Sequence, residues 1–158
     1  MNYIEVNTVI GKMIIIEKDN LIYELVQNRS IKDYDFTNLV NKETPLLLKA
    51  KEELELYSMG KLKEFTVPLN IGGTEFEKKV YKALLEISYG EVCSYKDIAI
   101  KVGCPKGSRA IGNANGKNKI PIIIPCHRVI AANNKLGGYT GGIDIKVKLL
   151  EHEKKNKV

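Results

Sequence analysis

The sequence predicts an α/β protein built as two units, and three observations predict it. Short Ile/Val-rich segments parted by turn residues fill the first thirty positions, a helix, Gly-containing turn and helix follow in the second half, and the charge divides between the halves. Met1 to Asn70 hold 9 Lys and Arg against 11 Asp and Glu, and the remaining residues hold 16 against 8, so the first stretch is near −2 and the second near +8. With 158 residues and 44% hydrophobic content, the chain can bury one good core, or a small core beside a modest one. The expected boundaries are 1–70 for the first unit and 73–156 for the second, joined through Asn70-Ile71-Gly72-Gly73.

Within the first unit, Tyr3 to Val9, Lys12 to Lys18 and Leu21 to Gln27 read as a β-meander, because Gly11 and Asp19-Asn20 break the apolar runs. Thr44-Pro45 opens a helical pattern, with Leu46, Leu47, Ala50, Leu54 and Tyr57 on one stripe and Gly60 as its stop. Phe65 to Leu69 is expected to add a further strand. Nothing here names a chemistry, and the unit reads as scaffold.

In the second unit, Thr74 is placed to cap a helix that carries Phe76, Val80, Ala83, Leu84 and Ile87 inward and ends near Tyr89-Gly90. Ser94 caps a shorter helix, Tyr95 to Val102. After the turn from Gly103 to Gly107, another starts at Ser108, completing a helix-turn-helix pattern. This second helix holds Ala110, Gly112, Asn113, Ala114 and Gly116, poor helix formers that let a backbone press close to another surface. Ala110, Asn113 and Ala114 fall on one face. Small residues suit a narrow minor groove better than a major groove, where long polar side chains read base edges, and Arg109 is the natural intruding side chain. An excess of basic charge in this unit fits a polyanionic partner.

The candidate for chemistry is Cys126, in Pro121-Ile-Ile-Ile-Pro-Cys126-His127-Arg128-Val129-Ile130. A thiolate is the nucleophile, and an adjacent imidazole and guanidinium favour the charged form. Adjacent residues of an extended chain point to opposite faces, so the chain must bend here or a water must bridge Cys126 and His127. The alternative is a small apolar cysteine in a core strand. Cys93, Cys104 and Cys126 are odd in number and lack a C-x-x-C spacing, and only His127 and His152 could join them on a metal. No disulfide framework and no metal site are expected.

Pro125-Cys126-His127-Arg128 resembles the alkyl-acceptor motif of the O6-alkylguanine-DNA alkyltransferases, the methylated-DNA–protein-cysteine methyltransferases. Gly90 to Tyr95 and Ser108 to Asn118 are similar to that family's DNA-reading segments, and Gly138-Tyr139-Thr140-Gly141-Gly142 with Lys146 to Glu153 to its substrate loop and closing helix. The resemblance covers Gly73 to Glu153 and before that is one of layout only. It implies a ribonuclease-H-like N-terminal α/β domain and a mostly helical, winged-helix-like C-terminal domain with the helix-turn-helix. It also implies a single-use S-methyltransferase that flips the damaged nucleotide and moves its alkyl group irreversibly from O6-alkylguanine, and by extension O4-methylthymine, to Cys126.

The residue roles that follow are implied by the same resemblance. His127 would take the Cys126 proton, through a water, and Glu153 would orient the imidazole. Arg109 would fill the gap left by the rotated nucleotide, Tyr95 would abut its phosphate and donate toward the guanine, and Ser94, Ala110, Asn113 and Ala114 would meet the DNA. Asn118 would be a hinge, Tyr139 a pocket wall, and Thr140 a donor near the alkylated oxygen. The carbonyls of Cys126 and Val129 would accept from the guanine amine. Some family members carry an N-terminal zinc, which is not expected in a chain with no Cys or His before Cys93. No cofactor is expected, and the partner is double-stranded DNA containing O6-alkylguanine, bound through the minor groove by a monomer. No window suits a bilayer and the N-terminus does not read as a signal peptide, so a cytoplasmic, membrane-free protein is expected.

Three other functions compete. A cysteine hydrolase would need an oxyanion hole and would turn over. A non-catalytic lesion binder would lack the acceptor cysteine. A helix-turn-helix regulator would prefer palindromic sites.

Overall fold

In the computed structural model, which describes residues 1–132 and 135–157, the chain forms two compact units, Met1–Asn70 and Ile71–Val158. In the first, β1 (Asn2–Thr8), β2 (Gly11–Lys18) and β3 (Leu21–Gln27) make an antiparallel meander. Asp19 and Asn20, at the tip of the second hairpin, both take left-handed φ (52° and 60°), as a two-residue type I′ turn demands. A two-residue strand, β4 (Val40–Asn41), pairs parallel with β1, giving the order β3-β2-β1-β4. Met13 to Glu17 of β2 are buried in an unbroken run, because both faces of this central strand are covered. Ile14 and Ile16 pack with Val26 under Tyr3, Tyr34 and Phe36.

The four-residue helix α1 (Asn28–Ile31) has no side-chain cap and was not expected. Helix α2 (Pro45–Ser58), which packs on β1 and β2, starts as the sequence predicts, with Thr44 Oγ1 accepting from Leu47 N at 3.2 Å and Pro45 in its first turn. Leu47, Ala50, Leu54 and Tyr57 are buried, but Leu46 is only half-buried and Glu53 joins the inward stripe instead.

Glu53 explains the failure of the strand expected at 65–69. Its carboxylate accepts from Thr66 N (2.9 Å), Thr66 Oγ1 (2.5 Å) and Val67 N (3.3 Å), so those donors go to a side chain rather than a ladder. Only a single parallel bridge, Leu69 to Ile22, forms in this stretch among the described residues.

The second unit opens on α3 (Glu75–Leu85), fixed by a reciprocal capping box between Thr74 and Glu77. It stops at Leu85 rather than near Tyr89-Gly90. The Glu86 and Ile87 amides turn back to Ala83 and Leu84, tightening the last turn while Ile87 stays buried. Next come β5 (Cys93–Ser94), α4 (Tyr95–Lys101) with a second capping box from Ser94 to Asp97, and α5 (Ser108–Gly116), which packs against both α4 and α3. Tyr81 of α3 donates to the Ala114 carbonyl at 2.9 Å. A 3-10 turn at Cys126–Arg128 leads into β6 (Val129–Ile130), parallel to β5, and α6 (Ile143–Lys155) closes the unit. No helix among the described residues is long and apolar enough to cross a membrane.

Candidate active site

The bend that the Cys126-His127 pair requires is the 3-10 turn, not a strand. Ahead of it, Ile122 adopts φ 70°, an uncommon conformation for a β-branched residue, and the isoleucine run folds into a buried turn. The turn holds Cys126, His127 and Arg128 all buried, on different headings.

Glu153 reaches this turn from α6. It is 1% exposed, so it is not a solvated helix-end acid. Its Oε2 lies 2.6 Å from His127 Nε2, Arg128 Nε and Nη2 donate to Oε1 and Oε2 at 2.8 and 3.0 Å, and the Gly90 amide donates to Oε1 at 3.3 Å. Arg128 also donates to the Ile87 carbonyl at 2.7 Å and lies against the Tyr89 ring. Burial alone would raise the Glu153 carboxyl, but hydrogen bonds from His127 and Arg128 outweigh it and hold it well below the usual carboxylate range. Burial pushes the His127 imidazole down, against the opposing pull of Glu153. The ring is therefore neutral at neutral pH, with its Nε2 proton donated to Glu153. That leaves Nδ1 as the lone-pair nitrogen, and Nδ1 is buried with no hydrogen-bond partner among the described residues.

Cys126 is 5% exposed, and burial pushes its thiol up, contrary to the expectation of a thiolate favoured outright. Hydrogen bonds from Asn118 and Tyr139 and the charge of Lys146 pull the other way. Tyr139 Oη lies 3.8 Å from Cys126 Sγ. Asn118 ties the connection between α5 and the turn together, with Oδ1 accepting from Ile120 N (3.0 Å) and Nδ2 donating to the Ile124 carbonyl (2.9 Å).

Two buried side chains were missed by the sequence reading. Lys146 of α6 is 0% exposed and donates to the carbonyls of Val129 (2.6 Å), Leu136 (2.5 Å) and Gly138 (3.2 Å); burial pushes it down to about 8. Asn115 of α5 donates from Nδ2 to the Cys126 carbonyl at 3.1 Å. A signal was present for both: Lys146, Leu149 and Glu153 share one helical stripe, as do Ile111 and Asn115, so polar residues stood where a core stripe calls for apolar ones.

The remaining candidates surround this centre. Tyr95 donates to the Gly138 carbonyl at 3.3 Å and flanks Lys146. Gly137 sits under its ring with φ 70°, and a Cβ there would come within 3.0 Å of the ring edge, so glycine is required twice over. Thr140 donates to the Gly116 carbonyl at 3.0 Å, joining the substrate-loop candidate to the end of α5. Arg109, Ala110 and Asn113 are exposed on α5. Ala114 is not on that open face: it is 2% exposed and turned to the core behind the helix. Ser94 spends its hydroxyl on capping α4, accepting from Asp97 N at 3.0 Å. No cluster of three His, Cys, Asp or Glu able to hold a metal occurs among the described residues.

A buried cysteine beside a neutral histidine and an ionised glutamate, next to a helix-turn-helix, defines a nucleophile site attached to a nucleic-acid-binding motif. The profile of the family described as "6-O-methylguanine DNA methyltransferase, DNA binding domain" matches residues 75–155. The constitutive methylated-DNA–protein-cysteine methyltransferase of Bacillus subtilis (strain 168) is 44% identical over 156 residues, covering 96% of this chain and 94% of its own. The methylated-DNA–protein-cysteine methyltransferase of Methanosarcina acetivorans is 56% identical over 104 residues, 66% of this chain and 67% of its own. Among solved structures, Mycobacterium tuberculosis OGT in complex with DNA superposes with a TM-score of 0.90 at 40% identity, covering 99% of this chain and 94% of that one. An O6-methylguanine DNA methyltransferase from Methanococcus jannaschii gives 0.68 at 32% identity, over 93% and 90%. The chain belongs to the 6-O-methylguanine DNA methyltransferase family.

Proposed function

We propose that this protein repairs O6-alkylguanine in duplex DNA by moving the alkyl group to Cys126, once per molecule. The observation that carries this reading is the buried Cys126-His127-Glu153 set, in which Glu153 fixes His127 through Nε2 and leaves Nδ1 free to receive a proton. The thiol proton passes to Nδ1 through a water. Sulfur then attacks the alkyl carbon in line, the carbon–oxygen bond breaks with its electron pair going to the guanine, and the guanine takes up the released proton to reach its neutral keto form. Tyr139, Asn118 and the Lys146 ammonium stabilise the thiolate, so ionisation of a thiol raised by burial is aided from three sides. A thioether is inert, which ends activity after one event.

Arg109, Ala110 and Asn113 form the reading face toward the minor groove, with Arg109 filling the space of the extruded nucleotide. Extrusion costs a few kcal/mol in lost stacking, which a guanidinium stacked on the orphaned base partly offsets. Tyr95 abuts the rotated phosphate and donates toward the guanine, Ser94 contacts DNA near its helix cap, and Ala114 supports α5 from behind. Tyr139, Thr140 and the carbonyls of Cys126 and Val129 line the base pocket. Residues 73–156 act as the DNA-binding and acceptor domain and 1–70 as scaffold. The three-stranded meander followed by α2 supports a ribonuclease-H-like first unit; α4, α5 and the β5–β6 pair support a winged-helix-like second one. The protein acts as a cytoplasmic monomer.

Intact-mass spectrometry after mixing with O6-methylguanine duplex, followed by peptide mapping, tests the reading. One added methyl group on Cys126 is expected. An unchanged mass, or a methyl group elsewhere, overturns it.

A further inference from the structure

α5 ends in Ala114, Asn115 and Gly116, whose carbonyls lie beyond the reach of the helix's own i→i−4 amides. The first two are satisfied locally: Lys117 N donates to the Ala114 carbonyl at 3.1 Å, alongside Tyr81, and Asn118 N donates to the Asn115 carbonyl at 3.3 Å. The Gly116 carbonyl is reached from the substrate loop instead. Thr140 Oγ1, 24 residues further along the chain, donates to it at 3.0 Å. This approach needs the missing side chain, since a Cβ at Gly116 would come within 2.9 Å of that hydroxyl. Gly116 does not take the left-handed φ that favours glycine, and glycine weakens a helix relative to alanine. The close approach of Thr140 is the reason the structure offers for glycine at this position.

The bond joins two segments with different tasks. α5 exposes Arg109, Ala110 and Asn113, while Thr140 directly follows Tyr139, whose Oη lies 3.8 Å from Cys126 Sγ. On the other side of Tyr139, the Gly138 carbonyl accepts from Tyr95 of α4 at 3.3 Å and from Lys146 of α6 at 3.2 Å. We propose that Thr140 is a positioning residue whose hydroxyl clasps the substrate loop to the end of α5, setting the pocket wall in register with the helix that holds the DNA. This role rests on the transfer reading above and adds what fixes the loop against the reading helix. A nucleotide rotated out of a duplex stays tied to a strand gripped at α5, so its base arrives at a position that α5 sets. The loop has to stand in register with that position, because small misplacements of reacting groups are costly. A free base carries no such tether and settles against the loop wherever the loop stands.

The test measures two single-turnover rates for each protein, transfer from O6-methylguanine in a duplex and reaction with free O6-benzylguanine, and follows their ratio. Thr140→Val keeps the shape and removes the hydroxyl, and the ratio should fall about three- to tenfold, the size of one net hydrogen bond. Thr140→Ser keeps the hydroxyl and should restore the ratio. Gly116→Ala attacks the same bond from the helix side: it should lower the ratio to a similar extent while the denaturation midpoint holds or rises, because alanine is the better helix former. A purely structural role would slow both substrates equally, or would lower duplex repair only together with stability. An unchanged ratio in Thr140→Val or in Gly116→Ala overturns the inference, and so does a Thr140→Ser protein that behaves like Thr140→Val. If wild type transfers no methyl group from O6-methylguanine, the transfer reading itself fails, a result distinguishable from an unaltered ratio.

Discussion

Glu53 and Glu153 are both buried carboxylates carried by helices, one in each unit, and they are satisfied in opposite ways. Glu53 accepts from two backbone amides and a threonine hydroxyl, groups that carry no charge and do not change ionisation near neutral pH. It staples residues 66–67 to α2 and leaves nothing over. Glu153 accepts from a guanidinium and an imidazole, and the imidazole it holds keeps its Nδ1 without a partner among the described residues. Both arrangements satisfy the carboxylate; the second also keeps a base in reserve. A buried acid is therefore no mark of a site by itself, whereas one that fixes a titratable partner and leaves its far atom open is.

The largest expected effect lies at the nucleophile. Cys126→Ala should abolish methyl transfer completely while duplex containing O6-methylguanine still binds, because phosphate contacts and the wedge proposed for Arg109 do not involve sulfur. Single-turnover transfer and a gel-shift titration on the same preparation check both halves. Loss of binding by a folded variant would mean that the sulfur holds the pocket together.

The paired substitutions Glu153→Gln and Glu53→Gln set the two buried acids against each other. Glu153→Gln leaves Arg128 charged and buried without its counter-ion, so denaturant titration should show a loss of ~3–5 kcal/mol together with a large fall in transfer rate for the folded fraction. Glu53→Gln should cost ~1–3 kcal/mol and leave the rate close to wild type. Acid adds a second readout. The folded Glu153 carboxyl lies below its ordinary value of 4.5, so its native state binds fewer protons than the unfolded chain as pH drops past that value. Its contribution to stability is whole above that pH and is lost as the carboxyl protonates below it. The acid limb of the wild-type stability curve should flatten in Glu153→Gln. A rate loss in Glu53→Gln without that pattern in Glu153→Gln would reverse the roles assigned to the two acids.

Much of this contrast was open to reading from sequence, for identifiable reasons. Caps and turns are local: Thr44, Thr74, Ser94 and Asp19-Asn20 set their elements within a few residues of themselves, so the ends of α2, α3 and α4 that depend on them were legible. What failed was decided at a distance. The strand expected at 65–69 was prevented by Glu53, and Ala114 was turned inward by packing that its own helix does not record. In the site, Cys126, His127 and Glu153 were readable through the family's motif, but burial drives the thiol up rather than down. Arg128 was expected to favour the Cys126 thiolate, but its guanidinium pairs with Glu153, 25 residues away. Lys146 entered the sequence reading only as the start of the closing-helix segment, because its three acceptors are backbone carbonyls, which no residue letter displays.

His127 gives the next test, since it is a partner able to move a proton, and the groups bonded to Glu53 are not. Burial holds the imidazole neutral below its ordinary range and raises the Cys126 thiol. Wild-type transfer should therefore fall only on the acid side, as Nδ1 becomes protonated. In His127→Ala the thiol must ionise unaided, so the rate at neutral pH should drop by about tenfold or more and recover partly as pH rises, the usual range for loss of a general base being ~100-fold or greater when the base is fully engaged. Superimposable rate-versus-pH profiles would take His127 out of the mechanism.

The smallest effect concerns the open face of α5. Arg109 is exposed on α5, and the role proposed for it is confined to the drawing of a nucleotide out of a duplex. Arg109→Ala should leave stability within ~0.5 kcal/mol of wild type, as for most surface substitutions. Reaction with free O6-benzylguanine, which needs no extrusion, should stay close to wild type, while repair of O6-methylguanine in duplex DNA should slow several-fold. Single-stranded DNA should fall between the two, because part of the unstacking has already occurred. Equal losses on all three substrates would transfer Arg109 from the reading face to the chemistry, and would join the two regions that the contrast between open helix and buried acid keeps apart.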